Sequence, residues 1–107
     1  MTGLQLKKNW LTKLAALDTN KRYLSWETDS IIKLDPKGLD SRVELELGLN
    51  LDENSYIIKD SPVYEINIII PSVGAIYQTR LSDASSEDKF FNKVAKKYNQ
   101  IIEEMEE

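Results

Sequence analysis

The stretch Val63 to Pro71, VYEINIIIP, constrains this chain more than any other, because it is the most apolar, most β-branched and most sharply bounded window in it. Isoleucine loses side-chain freedom against a helical turn but packs well on a pleated surface. Pro62 and Pro71 bracket the run where a missing N–H costs a ladder nothing. The run therefore reads as a strand. In extended backbone Tyr64, Ile66, Ile68 and Ile70 share one side and Val63, Glu65, Asn67 and Ile69 the other. The first set is expected to face a core. Left at a sheet edge, INIII would template aggregation, so neighbours are expected on both sides.

A second alternating run supplies one such neighbour. Across Leu39 to Leu51, Val43, Leu45, Leu47 and Leu49 oppose Arg42, Glu44, Glu46 and Gly48, one face buried and the other wet. Ala75 to Leu81 alternates in the same way, with Ala75, Tyr77, Thr79 and Leu81 against Ile76, Gln78 and Arg80. Two weaker strand readings complete the set: Tyr56 to Lys59, and a bent strand or pair of strands over residues 21–34. In the latter Leu24 and Trp26 share a face, and Ile31, Ile32 and Leu34 resume after Asp29-Ser30. Asp35-Pro36-Lys37-Gly38 reads as a type I turn, and Ser72-Val73-Gly74 as a reversal.

Both ends read as helix. Thr2 and Gln5 form a capping box, and Leu6, Trp10, Leu14 and Leu17, with Leu11 beside them, make an apolar stripe that ends before Asp18-Thr19-Asn20. Near the other end Ser85 and Asp88 resemble a capping box. Phe90, Phe91, Val94, Ala95, Tyr98, Ile101, Ile102 and Met105 then hold helical spacing for more than four turns. Glu103, Glu104, Glu106 and Glu107 crowd the negative end of that helix, so its last turn is expected to fray. The expected fold is α+β, a single domain spanning residues 1–107. It is an antiparallel meander of about five strands with an N-terminal and a C-terminal helix packed together on one face, a two-layer sandwich.

Composition narrows the chemistry. The 107 residues contain no cysteine and no histidine, which removes disulfides, thiolate metal sites, a cysteine nucleophile and the commonest general base near neutral pH. Apolar content of 41% with 30% charged residues is the ordinary globular range. The net charge of −4 is unevenly placed. Residues 1–38 hold seven Lys/Arg against four Asp/Glu, and residues 39–107 hold seven against fourteen. The N-terminal segment is basic and amphipathic without a cleavable signal pattern, and no window approaches the roughly 20 apolar residues of a membrane span, so a cytoplasmic protein without a membrane partner is expected.

Function is then expected on the helix-free face of the sheet. Arg42, Glu44, Glu46, Glu65, Asn67, Gln78 and Arg80 belong to the non-core phase of their strands, and Tyr23 and Glu27 are candidates to join them. Ile69 is the misfit, an apolar residue in the polar phase. A solvated face with cross-strand ion pairs is the plain reading. The functional reading is a small acidic, non-enzymatic protein-binding domain of inhibitor, immunity or adaptor type, using this face or the acidic C-terminal end. A first alternative is an enzyme of carboxylate and arginine chemistry, with Glu44 or Glu46 as base, Arg42 or Arg80 as anion clamp, and Tyr64 or Tyr77 nearby. A second is nucleic-acid binding through the lysines of the helices (Lys7, Lys8, Lys13; Lys89, Lys93, Lys96, Lys97), which the overall acidity disfavours. No cofactor is expected. Asn50-x-Asp52-x-Asn54 starts like a calcium loop but has Ser55 where the turn needs Gly and Ser61 where a bidentate Glu is needed. Edge pairing through Tyr56 to Lys59 or residues 21–34 would make a homodimer.

Overall fold

A computed structural model describes residues 1–27 and 30–106; Thr28, Asp29 and Glu107, the last of the acidic C-terminal glutamates, lie outside the described residues. Helix α1 spans Gly3–Ala15, strand β1 Ile32–Leu34, β2 Glu44–Leu49, β3 Val63–Ile70, β4 Ala75–Arg80 and helix α2 Glu87–Met105, with a 3₁₀ turn at Leu81–Asp83 before α2. The strands form one antiparallel sheet in the order β1-β2-β3-β4. The expected α+β class holds with four strands rather than five, and β3 lies between two neighbours.

The helices follow from their end chemistry. In α1 the Thr2 hydroxyl accepts from the Gln5 N–H at 3.2 Å while the Gln5 side chain accepts from the Thr2 N–H at 2.8 Å, closing the capping box. Leu6 and Trp10 carry the buried stripe, but Leu11 is exposed, and the helix stops at Ala15, ahead of Leu17. The cap of α2 is Ser86, not Ser85; its hydroxyl accepts from the Lys89 N–H. Glu87 and Asp88 follow in the first turn, where negative charge suits the helix dipole. The helix continues through Met105 with Glu103 and Glu104 in its final turn.

Both helices cover the same side of the sheet. Leu6 and Trp10 meet Phe90, Phe91, Val94, Ala95, Tyr98 and Ile101 above Leu34, Leu45, Leu47, Ile66, Ile68 and Ile70. α1 lies along β1 and α2 along β4. Lys7 bonds Asp88 at 2.9 Å and Lys13 bonds Asp35 at 3.1 Å, so two α1 lysines are paired and do not extend the lysine row of α2. The loop before β2 is fastened to α2 by one bond, the Asp40 N–H donating to the Tyr98 hydroxyl at 2.9 Å. Tyr98→Phe is expected to lower stability by roughly 1 kcal/mol, the net worth of such a bond, measured by urea denaturation.

Four local expectations are corrected. First, β2 and β3 slip register between Gly48 and Leu49: Gly48 pairs with Glu65 but Leu49 pairs with Val63. Tyr64 is the extra residue of a bulge, which turns it outward and sends Val63 into the core, the reverse of the strict alternation. Second, Tyr56 to Lys59 makes only isolated bridges, Arg22 with Tyr56 and Leu51 with Ile57. Asp52 caps this excursion, accepting from the N–H groups of Asn54 and Tyr56 at 2.8 and 3.1 Å, which spends the acid of the calcium-like motif on its own loop. Third, residues 24–27 turn instead of extending, with the Glu27 N–H bonded to the Leu24 carbonyl. Tyr23 is buried with its hydroxyl on the Asp18 carbonyl, and Trp26 is 78% exposed. Fourth, the turn after β1 closes between Pro36 and Leu39 with Gly38 at φ +85°, one residue later than expected and in the left-handed region glycine suits.

Candidate functional site

The face of the sheet opposite the helices carries three cross-strand rows. In the widest, Lys33, Glu46, Asn67 and Gln78 stand side by side over all four strands. Below it lie Glu44, Ile69 and Ile76, and above it Gly48, Glu65 and Arg80. Period-two alternation on β2, β3 and β4 thus brings together Glu44, Glu46, Glu65, Asn67, Ile69, Gln78 and Arg80. Arg42 is not among them. It sits in the turn before β2, where the Asp40 carboxylate takes its Nε and Nη2 at 2.9 and 2.7 Å. That bidentate bond, with the Arg42 backbone N–H, holds the Asp40 carboxyl down at about 2. Stability from this pair is present above the ordinary carboxylate range and is lost as pH falls through about 2.

Each row has its own electrostatics. Lys33 reaches Glu44 at 3.4 Å with both side chains well exposed, a contact contributing roughly 0.2–1 kcal/mol. Burial, then the charge of Glu44, pushes the Glu46 carboxyl up against the opposing pull of Lys33. A carboxylate raised in the folded state contributes stability that is fully present below its unfolded pKa and lost as pH rises through the folded value. Glu46→Gln is therefore expected to raise the melting temperature at pH 7 and leave it almost unchanged near pH 4, where the unfolded carboxyl of about 4.3 is already largely protonated. An equal gain at both pH values would assign the effect to packing.

Glu65 was expected on a wet surface and is instead 3% exposed. Its slot is made by Gly48: a Cβ there would overlap the Glu65 Cγ and approach the Tyr64 ring. The Arg80 Nε stands 3.9 Å from the Glu65 Oε1. A glycine inside an otherwise apolar-alternating strand was the available signal for both the slot and the bulge. Asn67 has a buried side-chain oxygen without a hydrogen-bond partner among the described residues. Beside it Ile69 is half-buried and pairs with Ile76, which is 60% exposed.

Glu44 is engaged by Lys33, and neither Glu44 nor Glu46 lines any of five grooves on the described surface. Among the described residues no group of three or more His, Cys, Asp or Glu could hold a metal ion, and no helix is long and apolar enough to cross a membrane. No protein-family model, curated protein or solved structure matches the chain.

Proposed function

We propose that this chain is a non-enzymatic protein-binding domain that docks through the helix-free face of its sheet. The observation that supports this most is the centre of that face. Ile69 and Ile76 form an apolar step beside Asn67, ringed by Glu44, Glu46, Gln78 and the Arg80 head group. An apolar centre with a polar rim is the composition of a protein interface. The partner this face suits carries an apolar group opposite Ile69 and Ile76 and basic side chains opposite Glu44 and Glu46. The acidic end of α2 lies outside this face and is not needed for it.

A photo-crosslinking residue placed at position 76, with position 4 on the exposed side of α1 as control, tests the reading in lysate of the native cell. Leu4 is exposed to the same degree, at 61% against 60%. A discrete protein adduct is expected from position 76 only, and it should be lost when Glu46 is replaced by Arg. Identical adducts from both positions, or none from position 76, would remove the sheet face as the docking surface.

A further inference from the structure

The free edge of β4 forms a second surface, which borders the open face at Ile76 and Gln78. No strand lies beyond β4, and the backbone of Ala75–Arg80 bonds only toward β3 among the described residues. The other edge, β1, is three residues long, whereas β4 is six, contains no proline, and carries its one charge at the end, Arg80. Edges of that length are normally blunted by charge, proline or a covering segment. Here the edge opens onto a groove of about 580 Å³ between Ile76–Thr79 and Lys93, Lys96, Lys97 and Gln100 of α2.

The lysines are arranged for an outside partner. Lys93, Lys96, Lys97 and Gln100 follow an i, i+3, i+4, i+7 spacing and so share one helix face. Lys93 and Lys96 make no ion pair among the described residues, and Lys97 lies over the Tyr77 ring at 4.4 Å. Like charges at these spacings oppose one another within the helix.

We infer that the β4 edge accepts an extended acidic segment of a partner protein as a fifth strand. The segment's carboxylates would rest on Lys93, Lys96 and Lys97. The dimensions agree. Residues 76–79 cover about 10 Å of strand between first and last Cα, and residues 93–100 about 10.5 Å of helix. Alternate residues of a strand are about 6.8 Å apart, and Lys93 and Lys97 are separated by about 6 Å of helical rise. Side chains of the added strand that point toward the helices are therefore acidic, while the intervening ones emerge beside Ile76 and Gln78 and are apolar or neutral. A second copy of the chain is disfavoured, because β4 pairing with β4 about a two-fold axis brings two lysine rows together. A nucleic acid is disfavoured because it completes no backbone ladder and meets a chain of net charge −4.

The test uses the whole protein and a fluorescein-labelled nine-residue peptide in which Glu alternates with Val and Thr, read by anisotropy at low and high salt. Binding is expected to weaken at least tenfold in Lys93→Glu/Lys97→Glu and to be unchanged in Lys8→Glu on α1. It should also weaken at least tenfold when the alternate peptide amides that face β4 are N-methylated, a change that leaves the protein intact. Amide shift changes should concentrate at residues 75–80 and 93–100. No binding, undiminished binding of the N-methylated peptide, or tighter binding of a single-stranded oligonucleotide to the same lysines would each overturn the proposal. Shift changes centred on Lys33, Glu44, Glu46 and Asn67 would overturn it too, while leaving the open-face reading standing.

Discussion

Phe91→Ala is expected to remove about 3–5 kcal/mol of unfolding free energy, the largest effect of any single truncation considered for this chain. Phe91 is 1% exposed and sits where the two helices meet, its ring 5.0 Å from that of Trp10 at 63° and 5.1 Å from that of Phe90 at 66°. These edge-to-face contacts add to the area the ring removes from water. Truncation leaves a cavity between two helices whose neighbouring core side chains close only partly over it. Domains of this size have only about 5–15 kcal/mol to lose, so the variant should melt more than 10 °C lower. Guanidinium unfolding of Trp fluorescence measures it, and a loss under 1 kcal/mol would mean that the helices do not share this core.

The second large effect is expected at Ile66→Ala, about 2–5 kcal/mol. Ile66 is fully buried on the helix side of β3, between Leu47 and Thr79. Its strand has neighbours on both sides, and the backbone ladder holds the site open when the side chain is cut back. The change should appear in the denaturation midpoint with an unaltered slope, since the surface exposed on unfolding is nearly the same. A cost near zero would place Ile66 on the outer face and invert the sheet.

Much of this architecture is legible in the chain itself, and the residues show why. VYEINIIIP became a strand with bounds Val63–Ile70 because β-branching and the flanking prolines agree. The Thr2 and Gln5 capping box and the Phe90 to Met105 stripe are local signals that tertiary structure had no cause to override. Seven of the eight candidate side chains share the open face because a period of two survives along β2 and β4 and along β3 from Glu65 onward. Arg42 fell out because Asp40, two residues earlier, offers it a bidentate partner in a turn.

What was hidden depends on pairing between segments. The bulge that exchanges Val63 and Tyr64 is a property of β2 against β3, and its trace in the sequence is Gly48, on the other strand. The alternation at Tyr56 to Lys59 and at Leu24 to Trp26 was too short to compete with the Asp52 loop and the turn closed by Glu27. The lysines of α2 were visible from the start, but which strand edge they flank is decided by the packing of α2 along β4.

The proposed function divides the two faces of β3 between core and partner, and Ile69→Lys tests that division most directly. The side chain is half-buried on the open face beside Glu44, which can pair with the new ammonium, so folding should be nearly untouched. The measurement is one purified variant taken through both a thermal melt and the crosslinking capture from position 76. The expected result is a melting temperature within about 4 °C of the parent, a stability change below roughly 1 kcal/mol, together with loss of the captured protein. A variant that unfolds would put Ile69 in the core, and one that folds and still captures the same protein would leave the open face without a role in binding.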